Sequence, residues 1–192
     1  MIKPALSALE RSFFRFKKFG RGSIIKPFPR RIAGARYIEI GDDCFFGDGL
    51  VLIATDSYLG GKHEPACVFG DRCTFGSDAV ISCTTSITIG RAVLTSSRVF
   101  IGDSYHGYED PTLPILDQPM SGGAPVVIGD GCFLGIGCAI LPGVTLGVNC
   151  FVGANAVVTR SFDAYSVIGG VPATLLRRYD PEIGTWSTAA QR

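Results

Sequence analysis

Aliphatic or aromatic residues return every six positions through most of this 192-residue chain, and a glycine usually follows them. One series runs Ile40, Phe46, Leu52, another Phe69, Phe75, Ile81, and a third Ile89, Thr95, Ile101. The longest, Ile128, Leu134, Ile140, Leu146, Val152, Val158, is unbroken. A period of six matches neither the repeat of about 3.6 residues on a helix face nor the two-residue alternation of a strand. Short periodic repeats of this kind predict a parallel β-helix. Three hexapeptides make a turn of about 18 residues with one short strand per side, the strands of a side stacking ~4.8 Å apart. Segments 40–57, 69–86, 89–106, 128–145 and 146–163 each fit one turn, and 22–39 and 164–172 fit partial turns at the two ends. Such a stack has little open edge except at its ends, which repeat proteins cap.

Two stretches break the period. Residues 58–68 (YLGGKHEPACV) form an insertion between turns. Residues 107–127 form a longer one, with Pro111, Pro114 and Pro119 ahead of its final Ala124–Pro125, and cannot continue the strand pattern. A loop of that length in a compact domain is functional or disordered. A smaller slip of two residues falls at Ile87–Thr88. Before the repeats, Leu6, Leu9, Phe13 and Phe16 follow the spacing of one helix face, predicting a helix over 4–18, with an extended lead-in over 20–37. That helix either docks on the end of the β-helix or a neighbouring subunit, or lies on an anionic membrane surface.

Composition narrows the class. Twenty-five glycines suit a turn-rich β architecture. No stretch approaches the ~18–20 continuous apolar residues of a membrane span, and no signal peptide is expected, because no apolar stretch with a cleavage site follows the charged start. Of the seven cysteines, Cys44, Cys73, Cys132, Cys138 and Cys150 each stand four residues after a repeat-leading residue, in a slot that Ala79 and Ala156 fill elsewhere. They read as small core residues rather than disulfide partners or metal ligands, which implies a reducing, cytoplasmic compartment. Residues 1–36 hold ten Lys or Arg against one acid, Glu10, whereas 37–192 hold eight basic and sixteen acidic residues. The chain is a basic arm on a mildly acidic body, and no nucleic-acid partner is expected.

Candidate chemistry is sparse. The chain has two histidines. His63 sits in the glycine-rich GGKHEP loop and reads as a loop histidine, with a role in an acceptor site as the alternative. His106 ends a turn in VFIGDSYHGYED, where the regular coil gives way to the long loop, and an imidazole there is a natural general base at neutral pH. The repeats, IGDSYHGYED, and the stretch VVIGDGCFLGIGCAILPGVTLGVNCFVGANAVVTRSFDAYSVIGGVPATLLRRYD resemble the hexapeptide-repeat acyltransferases. Within that superfamily the chain is similar to galactoside, maltose and serine acetyltransferases, and most to bacterial lipopolysaccharide and capsule O-acetyltransferases, over about residues 22–186.

The resemblance implies an all-β, left-handed parallel β-helix with a short N-terminal helix and a C-terminal tail; the period itself says nothing of handedness. It implies a division into an arm (1–36), an acyltransferase domain (37–173) and a tail (174–192). It also implies a homotrimer with active sites between subunits, acetyl-CoA as acyl donor, no metal, and a sugar or glycan acceptor. The basic arm itself suits an acceptor presented at the inner membrane surface, with peripheral contact there, or simply an anionic sugar. Carried over residue by residue, His106 matches the catalytic histidine, and Asp103 an acidic position that meets the acceptor or the imidazole. Phe133 and Gly135 match the coil near the thiol of coenzyme A, and Ala154, Thr159 and Arg160 match positions along its pantetheine arm. Gly170 matches a turn beside the cofactor, and Arg177 a basic position near the nucleotide phosphates. Thr174 departs from the second basic residue of the galactoside enzymes, with Arg178 as a substitute. Tyr105 and Tyr108 are candidates for stacking on a sugar ring. Competing readings are an N-acyltransferase on an amino sugar, a xenobiotic acetyltransferase and a non-catalytic scaffold.

Overall fold

A computed structural model describes residues 14–27 and 29–188. The chain winds repeatedly through three parallel sheets, visiting them in the same order on every turn, so the repeats form a three-sided β-helix. Side A stacks Lys18–Phe19, Ile38–Ile40, Ala66–Phe69, Ser86–Ile89, Val126–Ile128 and Thr145–Leu146. Side B stacks Ile24–Ile25, Phe45–Phe46, Thr74–Phe75, Leu94–Thr95, Phe133–Leu134, Phe151–Val152 and Ser166–Gly170. Side C stacks Arg31–Ala33, Val51–Ala54, Val80–Cys83, Phe100–Gly102, Ala139–Ile140 and Val157–Val158. The slip at Ile87–Thr88 is absorbed on side A, where Ile87 and Ile89 both point inward.

The six-residue period is the length of one side plus one corner. Repeat-leading residues fill the interior, and Phe46, Phe69 and Phe75 pack there with ring centroids 5.2–5.4 Å apart. Thr95 occupies a leading position because its buried hydroxyl donates to the Ser96 carbonyl and accepts from the Gly76 amide. Each of the first two corners turns on one residue of left-handed backbone. From A to B these are Gly22, Asp43, Arg72, Ala92, Gly131, Asn149 and Tyr165; from B to C, Gly49, Asp78, Arg98, Gly137 and Asn155. At Gly131 a Cβ would stand 2.2 Å from Oδ1 of Asn149 on the next coil, so a side chain there would have to displace that amide.

The cysteine slot has a specific chemistry at the A-to-B corner. The Cys44, Cys73 and Cys132 thiols each donate to a glycine carbonyl of the next coil at 3.1 Å, and Cys150 donates to the Asp163 carbonyl at 3.2 Å. Ser23, in the same column on the outermost coil, does the same to Gly41 at 2.6 Å. The slot therefore takes a side chain small enough for the interior that still carries a donor. Cys138 lies at the other corner, where burial pushes its thiol up to about 12.

Residues 18–33 supply one strand to each side and form the outermost coil. Their flanking cations meet the body's acids: Lys17 with Glu39 (2.8 Å), Arg21 with Asp42 (3.7 Å), Lys26 with Asp48 (3.8 Å), Arg30 with Asp78 (3.0 Å) and Arg36 with Asp56. Exposed pairs of this kind contribute at most ~1 kcal/mol each, but they give the basic segment an acidic partner within its own chain. The helix expected over 4–18 lies largely outside the described residues; inside them, Arg15 has a left-handed φ and Lys18–Phe19 is already a strand. At the far end Ala173–Asp180 turns back antiparallel on Ser166–Gly170, and Thr185–Thr188 adds a further strand, with Tyr165, Tyr179 and Trp186 in ring contact. This hairpin covers the last edge of side B.

All seven cysteines are unpaired and buried. A colourless-to-yellow thiol reagent is expected to leave them unreacted in the native protein and to count all seven after denaturation. Rapid reaction of the native thiols would refute their assignment to the core.

Candidate active site

Both insertions leave the helix at the corner between sides C and A. The first forms a small hairpin, Ser57–Tyr58 against Gly61–Lys62. The second leaves two coils further on, after Phe100–Gly102, and returns at Val126–Ile128. Its root is also a hairpin, in which Tyr105 pairs with Ser121 and His106 with Met120. Gly122 must lack a side chain there, because a Cβ would stand 2.2 Å from the Tyr105 ring.

The long loop is held from within despite its prolines. Gln118 is 4% exposed and donates to the carbonyls of Asp110 (2.9 Å) and Leu113 (3.1 Å) while accepting from the Asp110 amide (3.1 Å). Asp110 accepts from the Thr112 amide, and Glu109 accepts from the Ser121 hydroxyl and the Tyr108 amide. These bonds hold both carboxyls below the usual range, through Thr112 and Ser121 first. The result is a fixed support for His106, whose ring is exposed at the root of the loop and meets the ring of Tyr58 with centroids 5.3 Å apart.

Asp103 is placed differently from a group that meets an acceptor. It is fully buried; Oδ1 accepts from the Thr84 amide (2.8 Å) and hydroxyl (3.0 Å), and Oδ2 from the Thr85 amide (2.8 Å). The carboxylate ties the start of the loop to the coil beneath it. Tyr105 and Tyr108 are exposed beside His106. His63 sits at the base of the first hairpin, its amide donating to the Asp56 carbonyl at 2.8 Å and its Nε2 buried near Gly61.

The remaining candidates divide between two parts of the surface. On side B, the cross-strand register Leu94, Phe133, Phe151, Val167, Arg177 makes one outward stripe, apolar until it ends in a cation. Phe133 and Phe151 have ring centroids 4.7 Å apart, and the Arg177 guanidinium lies 5.5 Å from the Trp186 ring centroid. Gly170, with φ 98°, ends the adjacent strand. Thr159 and Arg160 lie instead at the C-to-A corner, in the column of Gly102 and Asp103, and Arg160 stacks over Phe162 at 5.0 Å. Gly135 and Ala154 face each other at the B-to-C corner, where a Cβ on Gly135 would stand 2.7 Å from the Ala154 amide nitrogen. Coil stacking alone requires that glycine. Thr174 and Arg178 lie on the antiparallel strand, and Arg178 pairs with Asp163 at 2.9 Å.

The sequence pattern described as the hexapeptide repeat of succinyl-transferase matches residues 68–94 and 125–160. An Escherichia coli K12 protein named as a lipopolysaccharide biosynthesis O-acetyl transferase, WbbJ, is 33% identical over 188 residues, covering 94% of this chain and 92% of that one. The chain belongs to the hexapeptide-repeat acyltransferases. A Mycobacterium tuberculosis protein named as an acetyltransferase is 36% identical over 155 residues, covering 81% of this chain but 48% of its own, so the chain spans about half of that relative. Among solved structures, AntD, an N-acyltransferase from Bacillus cereus in complex with dTDP and coenzyme A, shares the fold with a TM-score of 0.62 at 20% identity, covering 94% of this chain and 92% of that one.

Sequence reasoning for this hexapeptide-repeat acyltransferase missed Tyr58, Thr84, Thr85 and Gln118 as parts of the site. Position 57 ends a turn just as 106 does, so counting coils would have placed both insertions at one corner. Asp103→Ala, which strips the Thr84 and Thr85 amides of their acceptor, is expected to lower unfolding stability by about 3 kcal/mol. Urea denaturation measures this, and an unchanged midpoint would contradict the anchoring role.

Proposed function

We propose that this chain transfers an acetyl group from acetyl-CoA to a hydroxyl of a sugar in a surface polysaccharide or its precursor. The observation that carries the reading is His106, an exposed imidazole on a braced support where both breaks in the repeat meet. An imidazole nitrogen of His106 takes the acceptor hydroxyl's proton as that oxygen attacks the thioester carbonyl. The tetrahedral intermediate then expels the coenzyme A thiolate, which recovers the proton from the imidazolium. Backbone N–H groups would stabilise the oxyanion. Asp103 acts on this chemistry by fixing the chain that leads to His106.

The stripe on side B suits acetyl-CoA, with Phe133 and Phe151 against the pantetheine arm, Gly170 beside it and Arg177 toward the phosphates. Gly135 and Ala154 let the coils there approach closely, and Thr159 and Arg160 extend the corner of His106. These two groups lie on different parts of a three-sided rod. One site that uses both therefore draws them from adjacent copies, which supports a homotrimer with sites between subunits. The proposed domain scheme numbers an arm 1–36, an acyltransferase unit 37–173 with its two insertions and a tail 174–192. The coil of 18–33 and the strand Ala173–Asp180 extend the β-helix past those bounds, and its coil sense is left-handed. Unpaired thiols fit a cytoplasmic site of action. Contact with the inner membrane would fall to the N-terminal segment, whose cations at 17, 21, 26, 30 and 36 already face acids of the body.

The shared fold with AntD, a variant of which is solved with dTDP-4-amino-4,6-dideoxyglucose and coenzyme A, favours a second reading, in which the acceptor is an amino sugar. Product chemistry separates the two, because mild alkali removes an O-acetyl ester and spares an N-acetyl amide. Mass spectrometry of host surface polysaccharide with and without the protein should show one missing acetyl group, labile to alkali. His106→Ala is expected to lower acetyl transfer by ~10²–10⁴-fold while leaving acetyl-CoA binding intact, measured by thiol release and calorimetry. An unchanged rate would sink the mechanism.

A further inference from the structure

The hairpin that carries Tyr58 is built as a rigid bracket. Leu59 and Gly60 both have positive φ (44° and 81°), as a two-residue turn of mirror-image type requires. Ser57 pairs with Lys62 and Tyr58 with Gly61. At its base the Asp56 carboxylate accepts from the Tyr37 hydroxyl at 3.0 Å and from Arg36, which tie the bracket to the coil below. Those two partners, Tyr37 first, hold the Asp56 carboxyl below its usual range. Tyr58 is half-buried, and its ring meets the His106 ring at 5.3 Å with planes 67° apart. T-shaped ring pairs separated by about 4.5–7 Å attract each other.

His106 needs such a neighbour. Among the described residues its ring makes no hydrogen bond, although a catalytic imidazole is ordinarily oriented by a third group bonded to its second nitrogen. Its strand is two residues long and the side chain is exposed. We propose that Tyr58 is a positioning residue for His106: its ring, carried on the first insertion, restricts the imidazole to the orientation that meets the acceptor hydroxyl. The 58–68 insertion thereby has a task, and the two interruptions work as one device. This inference rests on His106 being the general base.

The test compares Tyr58→Leu, which removes the aromatic face, with Tyr58→Phe, which keeps it and removes only the hydroxyl. The chain has two histidines, so the imidazole proton signals in NMR are few, and His106→Ala assigns them. Tyr58→Leu should move the His106 ring signals and lower kcat roughly ten- to hundred-fold, the scale of a small misplacement of a catalytic group. KM for acetyl-CoA and the thermal midpoint should stay unchanged, with thiol release from acetyl-CoA measured on host surface polysaccharide. Tyr58→Phe should keep kcat within about twofold of wild type. His106 signals that ignore Tyr58→Leu would show the contact absent in solution. Altered signals with an unchanged kcat, or failure of Tyr58→Phe to preserve the rate, would overturn the positioning role. Full activity in His106→Ala would remove the general-base reading itself, a failure distinct from these.

Discussion

Coil-to-coil contact at the corners governs the rest of this molecule. The glycine that follows a leading residue on side A or B faces the backbone of the next coil. A Cβ on Gly90 would stand 2.6 Å from the Asp130 amide nitrogen, and one on Gly76 would stand 2.5 Å from the Ser96 carbonyl carbon. Two corners are thereby clamped, each coil close against the next. At the third corner the leading residues are followed by Ile53, Ser82, Gly102, Leu141 and Thr159, with no glycine column. Extra chain can leave there without parting the coils, and both insertions do.

That asymmetry turns a monotonous rod into a support for chemistry. The first insertion rises as a tight hairpin, the second as a long loop braced by Gln118, and Asp103 pins the second to the coil between them at Thr84 and Thr85. His106 stands where they meet. Side B meanwhile carries an outward row of Leu94, Phe133, Phe151 and Val167 that ends at Arg177, where an ordinary solvated face would be polar. In the function proposed above, the corner bearing His106 and the apolar, cation-ended stripe are brought together between two copies of the chain.

Most of the scaffold was legible in the residues. The period located the interior side chains, and the cysteine register placed the thiols in the core, where the structure adds that four of them donate to the next coil's carbonyls. The outermost coil was harder to read, since residues 18–33 are charge-rich and carry Lys26 where most later coils have a glycine at the second corner, and only the ion pairs to Glu39, Asp42, Asp48, Asp56 and Asp78 reveal why the charges are there. His106 stood out because it follows the last regular residue before the loop. The burial of Asp103 was not legible, because an acid near a histidine reads alike whether it faces solvent or caps two amides. Nor was Tyr58, whose partner lies 48 positions away and is found only by counting corners.

Subunit complementation tests the central claim that base and cofactor stripe come from different copies. His106→Ala and Arg177→Glu chains, each inactive as a pure assembly, would be co-expressed and the mixed trimers purified through two tags. Every mixed trimer should recover acetyl transfer at one of its three sites, about a third of the total, the one pairing an intact His106 from one chain with an intact stripe from its neighbour. Mixed trimers as inactive as either parent would contradict the account and return the whole site to a single chain.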